Sequence, residues 1–170
     1  MSQVTEDIES KALLSYLNAQ RQHVIGIVEG LDEEDLRRQI PPSGWTCLGM
    51  VQHLALDIEQ FWFRGVVAGE QSVIDWLADG PGNSWLVGPE VPVNAVFDAY
   101  RQEIERASAI ITVTSPDAMP AWWPDRLFGN WRLDSLREIM LHVIAETACH
   151  AGHLDAAREL IDGRKWMTLD

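Results

Sequence analysis

Apolar residues in the first part of the chain recur with helical spacing in two segments. The first segment runs from about residue 7 to residue 29, where apolar positions at i, i+3 and i+4 predict one amphipathic helix (Ile8, Leu13, Leu17, Val24, Ile27, Val28). Gly30 follows it in a position that favours a helix C-terminus. The second segment starts after Thr46, which suits an N-cap, and continues to about Val67. The pattern predicts two long helices here.

Two more helical segments follow in the second half of the chain. Pro92 suits a first helical turn, and the apolar pattern continues from it to about Ile111. Ser135 and Glu138 form a capping box, and the pattern that they open ends at Gly163. Valine-rich runs elsewhere are short and interrupted by Gly or Pro, so no strand is predicted.

The connections between the four predicted helices are long. About 24 residues separate the second helix from the third, enough at about 3.3 Å per residue to cross the length of a bundle. This length favours a crossover that leaves helices two and three parallel. We therefore predict an all-α fold in which residues 1–170 form a single domain with four long helices.

Tryptophan is concentrated in the two later connections: Trp76, Trp85, Trp122, Trp123 and Trp131. Long connections often act as lids or binding loops. The alternative is that these rings cap the ends of the bundle and protect its core. The sequence leaves both interpretations open.

The charge balance of the chain excludes some partners. The chain has 13 Lys and Arg residues against 26 Asp and Glu, a formal net charge of −13. Nucleic acid and anionic membrane surfaces both attract cationic side chains, so neither is an expected partner. No segment has the ~18 to 20 apolar residues of a membrane span. Cys47 and Cys149 are far apart and in no C-x-x-C motif, which predicts a cytoplasmic protein with reduced thiols.

Candidate chemistry lies on the fourth helix. On a helical wheel His150 falls in the middle of the apolar face, with Glu146 about 40° away, His153 about 60° and His142 about 80°. A buried carboxylate one turn from a buried imidazole needs a partner. A metal ion bound at i and i+4 would satisfy both groups.

Helix two carries a polar strip around His53, and three further polar residues lie within about 40° of it: Asp57, Gln60 and Arg64. The strip faces either water or helix four. In the second case His53, Glu146 and His150 would form three metal ligands with open coordination positions. His153 could replace Glu146 as the third ligand. We expect His142 and His23 to be structural.

Two stretches of the chain resemble a known superfamily. Trp45-Thr-Cys-Leu-Gly-Met-Val-Gln-His-Leu54, followed by Phe61-Trp62-Phe63, resembles the second helix of DinB/YfiT-like proteins. Glu146-Thr-Ala-Cys-His-Ala-Gly-His-Leu-Asp155 resembles their last helix. The resemblance implies a four-helix bundle in up-down-down-up order, a homodimer, and a divalent metal at one end.

The resemblance also implies a ligand set. His53 matches the histidine of helix two, and His150 the second histidine of a His-x-x-x-His pair. Glu146 stands where many members have the first histidine, but the mycothiol-dependent isomerases of the superfamily look similar to this His/Glu/His pattern. A mixed nitrogen and oxygen set leaves zinc, nickel, manganese and iron open.

A metal-dependent transferase is the activity that this resemblance implies. It would join a small-molecule thiol (mycothiol, bacillithiol or glutathione) to a small electrophile, with His153, Asp57 or Arg64 orienting ligands or substrate. A metal-activated water at the same position would instead give a hydrolase. A third hypothesis is a non-catalytic, stress-associated bundle that binds a small molecule.

Overall fold

The computed structural model describes residues 3–80 and 82–166, with side chains described from residue 8 onward. Residues 1, 2, 81 and 167–170 of the predicted domain lie outside this part. The described chain is all-α, as predicted, and contains seven helices and no strand. They are α1 (Gln3–Val28), α2 (Glu33–Arg37), α3 (Cys47–His53, continued by a π-helix over Leu54–Val67), α4 (Gln71–Ala78), α5 (Val93–Val113), α6 (Asp125–Phe128) and α7 (Leu136–Asp162).

The predicted starts of the second and fourth long helices are confirmed by their caps, whereas α1 begins at Gln3, before the predicted residue 7. The Thr46 hydroxyl accepts a hydrogen bond from the Gly49 N–H at 2.9 Å, so α3 begins directly after Thr46. The Ser135 hydroxyl accepts from the Glu138 N–H, and the Glu138 carboxylate accepts from the Asp134 N–H at 2.7 Å. These bonds occupy backbone donors that the first turn of α7 cannot pair internally.

The second half of α3 departs from α-helical geometry. From Leu54 to Val67 the backbone is π-helical, and at its end the Ala68 N–H donates to the carbonyl oxygen of Phe63, five residues earlier. Each turn therefore takes more residues than the 3.6 of the helical wheel. Positions beyond Asp57 consequently lie on other faces than the wheel predicts.

Contacts between side chains give the relative directions of neighbouring helices. Glu9 pairs with Arg137 and His23 with Asp155, so α1 and α7 run parallel. Rings of α7 meet those of α3 in the opposite order, since His142 contacts Trp62 and His150 contacts His53. The apolar side chains of the long helices form one core cluster between them. The up-down-down-up order of all four remains a prediction.

The connections are more structured than the sequence suggested. Each holds a short helix that the periodicity did not predict: α2, α4 and α6. The connection after α4 is also tied down, because the Arg37 guanidinium donates to the carbonyl oxygens of Gly88 and Val91 at 3.2 and 2.7 Å. These bonds use polar backbone groups that a long structureless loop would leave to water.

Two further expectations from the sequence concern membrane-spanning helices and the state of the two cysteines. No helix in the described ranges combines the length and the apolar character that a bilayer crossing needs. Cys47 is buried and Cys149 exposed, and both are free thiols. Burial raises the pKa of Cys47 to about 11, so this thiol stays protonated and unreactive near neutral pH.

Candidate functional site

Histidines from two separate helices meet in the structure. The ring centroids of His53 on α3 and His150 on α7 lie 5.0 Å apart, in an edge-to-face arrangement. The indole of Trp85 stacks on His53 at 4.1 Å and contacts the edge of His150 at 5.6 Å. The polar strip of helix two therefore faces α7 at His53.

A carboxylate fixes the orientation of His53. Asp57, one turn further along α3, lies with its Oδ2 2.8 Å from His53 Nδ1. The Ser84 hydroxyl donates to the same carboxylate oxygen. Histidines that bind metals commonly donate their other ring N–H to a carboxylate in this way. The bond at Nδ1 makes Nε2 the nitrogen that is able to bind a ligand.

The segment around Trp85 approaches α3 closely. A Cβ atom at position 49 would collide with the carbonyl oxygen of Trp85, so the approach requires Gly49. The Gln52 amide also donates to the carbonyl oxygen of Ser84 at 2.8 Å. Both contacts hold the Ser84–Trp85 pair over His53.

Glu146 and His150 are one turn apart on α7, but their side chains are not in hydrogen-bond contact. Glu146 Oε2 lies 3.7 Å from His150 Nε2. The prediction of a buried carboxylate was wrong, because the Glu146 side chain is 43% exposed. His150 is 13% exposed, and its Nδ1 is buried without a hydrogen-bond partner.

Burial keeps His150 neutral. Loss of solvation lowers the pKa of His150 from 6.5 to about 4, with smaller contributions from His53 and His153. At neutral pH its ring therefore keeps a lone pair that can bind a proton donor or a cation.

A cavity of about 450 Å³ opens beside His53 and Glu146, and His150 is not among its lining residues. Its polar side is formed by His53, Asp57, His142 and Glu146. Its apolar side is formed mainly by four aromatic rings: Phe61, Trp62, Phe128 and Trp131. Apolar walls with a few convergent polar groups are typical of small-molecule sites.

Two of the residues predicted to orient ligands or substrate lie away from the cavity. Arg64 forms ion pairs with Glu70 and Glu103 and is not among the lining residues. The helical wheel placed it beside His53 because it assumed 3.6 residues per turn, which the π-helix does not have. His153 is exposed on α7, with its ring 5.8 Å from that of His150 and 6.4 Å from that of Trp45.

Sequence reasoning did not identify Ser84 or His142 as site residues, and it placed Trp85 only in a connection that acts either as a lid or as a cap of the bundle. Ser84 and Trp85 lie in an aperiodic connection, where no pattern indicates which residues turn towards α3. His142 was expected to be structural, but it lines the cavity with its ring 4.8 Å from Trp62 and 5.3 Å from Trp131. Burial lowers its pKa, an effect that Glu146 partly offsets.

The nitrogen and oxygen atoms at the site are of the kinds that bind a divalent metal, although the described side chains are not arranged as a set of metal ligands. In the described ranges, no three or more His, Cys, Asp or Glu side chains are arranged as a metal site. Yet His53 is oriented by Asp57, and His150 has a buried nitrogen without a partner. Imidazole nitrogens with one carboxylate oxygen suit zinc, nickel, manganese and iron.

Comparison with known families supports the resemblance to DinB/YfiT-like proteins. The model of a family in this superfamily, described as mycothiol-S-transferase, matches residues 12–163. The chain therefore belongs to the mycothiol-S-transferase family. Comparisons with curated proteins and with solved structures give no match.

Proposed function

We propose that this protein is a divalent-metal-dependent transferase that joins a low-molecular-weight thiol, most readily mycothiol, to a small electrophile. Membership of the mycothiol-S-transferase family supports a thiol S-transferase-like function. The observation that carries the metal dependence is the meeting of His53 and His150, 5.0 Å apart, from two helices that are distant in sequence. Glu146 adds a carboxylate that faces the same cavity as His53.

His53, Glu146 and His150 would hold the metal in this proposal, with His153 as an alternative to Glu146. The cofactor is zinc, nickel, manganese or iron. When bound, such a cation lowers the pKa of a coordinating thiol, which otherwise lies near 8.5, so that the nucleophilic thiolate forms at neutral pH.

The chain's own residues would orient the ligands and exclude water. Asp57 accepts the hydrogen bond of His53 Nδ1 and so directs Nε2 towards the ligand. The Ser84 hydroxyl donates to Asp57 and the Trp85 ring stacks on His53, and both contacts fix this arrangement. The aromatic rings of the cavity cover the reacting groups, which strengthens electrostatic interactions there.

The same proposal includes the architecture that the family resemblance implies. The four long helices, α1, α3, α5 and α7, form a bundle in up-down-down-up order within a single domain. The parallel pair α1 and α7 supports this order, and the ion pair of Arg64 on α3 with Glu103 on α5 makes these two helices neighbours. A homodimer and a cytoplasmic location complete the proposal.

Metal analysis followed by a thiol-consumption assay tests the function. Protein purified without chelator should contain about one equivalent of divalent metal. With 1-chloro-2,4-dinitrobenzene, the thiolate sulfur bonds to the ring carbon and chloride leaves with the bonding pair. We expect mycothiol to be consumed faster than glutathione or bacillithiol, because the family that the chain belongs to is described as mycothiol-S-transferase.

Single-histidine variants test the ligand set. His53→Ala and His150→Ala should each lose the metal and the activity. His23→Ala is the matched control, because His23 lies on α1 and bonds to Asp155 at 2.8 Å. Full metal retention by both His53→Ala and His150→Ala would refute the assignment.

The same measurements separate the two alternatives. Metal-dependent conversion of the electrophile in the absence of any thiol would indicate a hydrolase. Absence of metal, together with a melting temperature that chelator does not change, would indicate a non-catalytic bundle, because a bound metal raises the melting temperature.

A further inference from the structure

One wall of the cavity is built from aromatic rings that contact each other. The rings of Trp62 and Phe128 stack at 5.7 Å with an interplanar angle of 11°. The Trp131 ring lies 5.0 Å from that of Phe128 and 6.1 Å from that of Trp62. We call these three rings the aromatic wall.

The turn after α6 brings two of these rings together. Gly129 has φ +58° and ψ −120°, a conformation that residues with a Cβ rarely adopt. The Trp131 N–H then donates to the carbonyl oxygen of Phe128 at 3.0 Å. The chain therefore reverses between Phe128 and Trp131, which places both side chains on one side.

Part of this side of the cavity is exposed apolar surface, although Trp62 itself is buried. Trp131 is 43% exposed and its neighbour Leu127 is 64% exposed, and both line the cavity. Exposed apolar surface inside a concave site is typical of a ligand-binding face. The faces of indole and phenyl rings favour stacking with another flat ring.

The charges around the cavity are all negative. Asp57 and Glu146 line it, and no Lys or Arg is among its described lining residues. The nearby guanidinium of Arg132 lies over Trp123 instead and pairs with Asp134 at 3.2 Å. Arg64 is held by Glu70 and Glu103. When no metal is bound, an anionic ligand would therefore meet carboxylates without a compensating cation.

We propose that the aromatic wall binds a flat aromatic group without negative charge, and that Asp57 and Glu146 disfavour anionic compounds of the same shape when no metal is bound. The cavity volume of about 450 Å³ suits a compound of one or two rings. That this aromatic group is the electrophile of the reaction rests on the proposed function. That it binds to the aromatic wall does not depend on the proposed function.

Calorimetric titration of the chelator-treated, metal-free protein with two unreactive ligands tests the proposal. The probes are 1,3-dinitrobenzene and 3,5-dinitrobenzoate, which share the ring and both nitro groups and differ by one carboxylate. We expect the neutral compound to bind about tenfold more tightly. Glu146→Gln should reduce this preference several-fold, because it removes one of the two repelling charges.

Tryptophan variants locate the binding site. Trp131→Ala should weaken binding of 1,3-dinitrobenzene about tenfold, and Trp131→Phe should retain most of it because a ring remains. Trp76→Ala is the matched control, since Trp76 lies on α4, is half-buried and does not line the cavity. It should leave both affinities unchanged.

The outcomes distinguish this inference from the proposed function. Equal binding of the two probes, no binding of the neutral probe, or equal effects of Trp131→Ala and Trp76→Ala would overturn the inference. Binding with the expected pattern, but without thiol consumption with 1-chloro-2,4-dinitrobenzene, would support it and refute the transferase. Thiol consumption with equal binding of the two probes would refute the inference alone.

Discussion

Two polar contacts of helix α3 with other long helices differ in how completely their hydrogen bonds are made. Glu59 accepts two hydrogen bonds from Arg21 on α1, at 2.6 and 2.7 Å, and both side chains are almost fully buried. Arg21 also donates to Asn18 and to Ser108 on α5. At the other contact, His53 and His150 touch through their rings, and His150 Nδ1 has no partner.

This difference separates a structural polar pair from a candidate functional one. A buried ion pair is tolerated in a core only when its hydrogen bonds are made, and Arg21–Glu59 meets that condition. An unpartnered atom is not sufficient evidence of a site, since the buried Tyr100 hydroxyl also lacks a partner. His150 differs from Tyr100 because a second imidazole and a carboxylate lie beside it, next to a cavity.

The largest expected effect is the loss of stability that follows when the Arg21–Glu59 ion pair is broken. Arg21→Met should lower the free energy of unfolding by about 3–5 kcal/mol, because it leaves the Glu59 carboxylate buried without its counter-ion. Urea unfolding measures the change. The double variant Arg21→Met/Glu59→Leu should recover most of the loss, since no buried charge remains. Arg101→Met is the control, because its side chain is 53% exposed and its pairing with Asp98 contributes little. A loss below about 1 kcal/mol for Arg21→Met would show that the pair is not a structural requirement.

The second contact, between His53 and His150, should make the free energy of unfolding depend on pH. The pKa of His150 is about 4 in the folded protein, against the ordinary value of 6.5. Between these values the unfolded chain binds more protons than the folded chain, so the free energy of unfolding decreases as the pH falls from 6.5 to 4. For metal-free protein we expect His150 to account for about 2 kcal/mol of the loss between pH 7 and pH 4.5. His150→Gln has no such titration, so urea unfolding of this variant should show a correspondingly smaller decrease. Parallel pH profiles for the two proteins would contradict the assignment.

The smallest expected effects concern the groups that orient His53. Asp57→Asn should weaken metal binding about 10- to 100-fold, because the amide no longer fixes the Nδ1 proton of His53 as a carboxylate does. Ser84→Ala removes only one hydrogen bond to Asp57 and should weaken metal binding several-fold. Competition with a chelator measures both affinities. Gln60→Ala, on the same π-helix but outside the cavity lining, is the control. Unchanged affinity in Asp57→Asn would show that Asp57 does not support a metal ligand.

Local sequence signals predicted the long helices well. Thr46 and Ser135 cap α3 and α7 where the sequence places them, because capping depends on a side chain and a backbone donor three residues apart. Apolar spacing placed His53 and His150 on helices that could face each other. The short helices α2, α4 and α6 were missed, because they are only four to eight residues long, too few for a periodic pattern.

The amino-acid sequence by itself determined the helical class, the caps of the long helices and the presence of donor residues on two of them, since each depends on neighbours within a few turns. Only the tertiary structure decided which donors meet. The π-helical turns of α3 carry Arg64 away from His53 and towards Glu70 and Glu103. Packing likewise brings Trp85 onto His53 and Trp131 into the cavity wall, because the course of an aperiodic connection depends on what it packs against rather than on its own residue pattern.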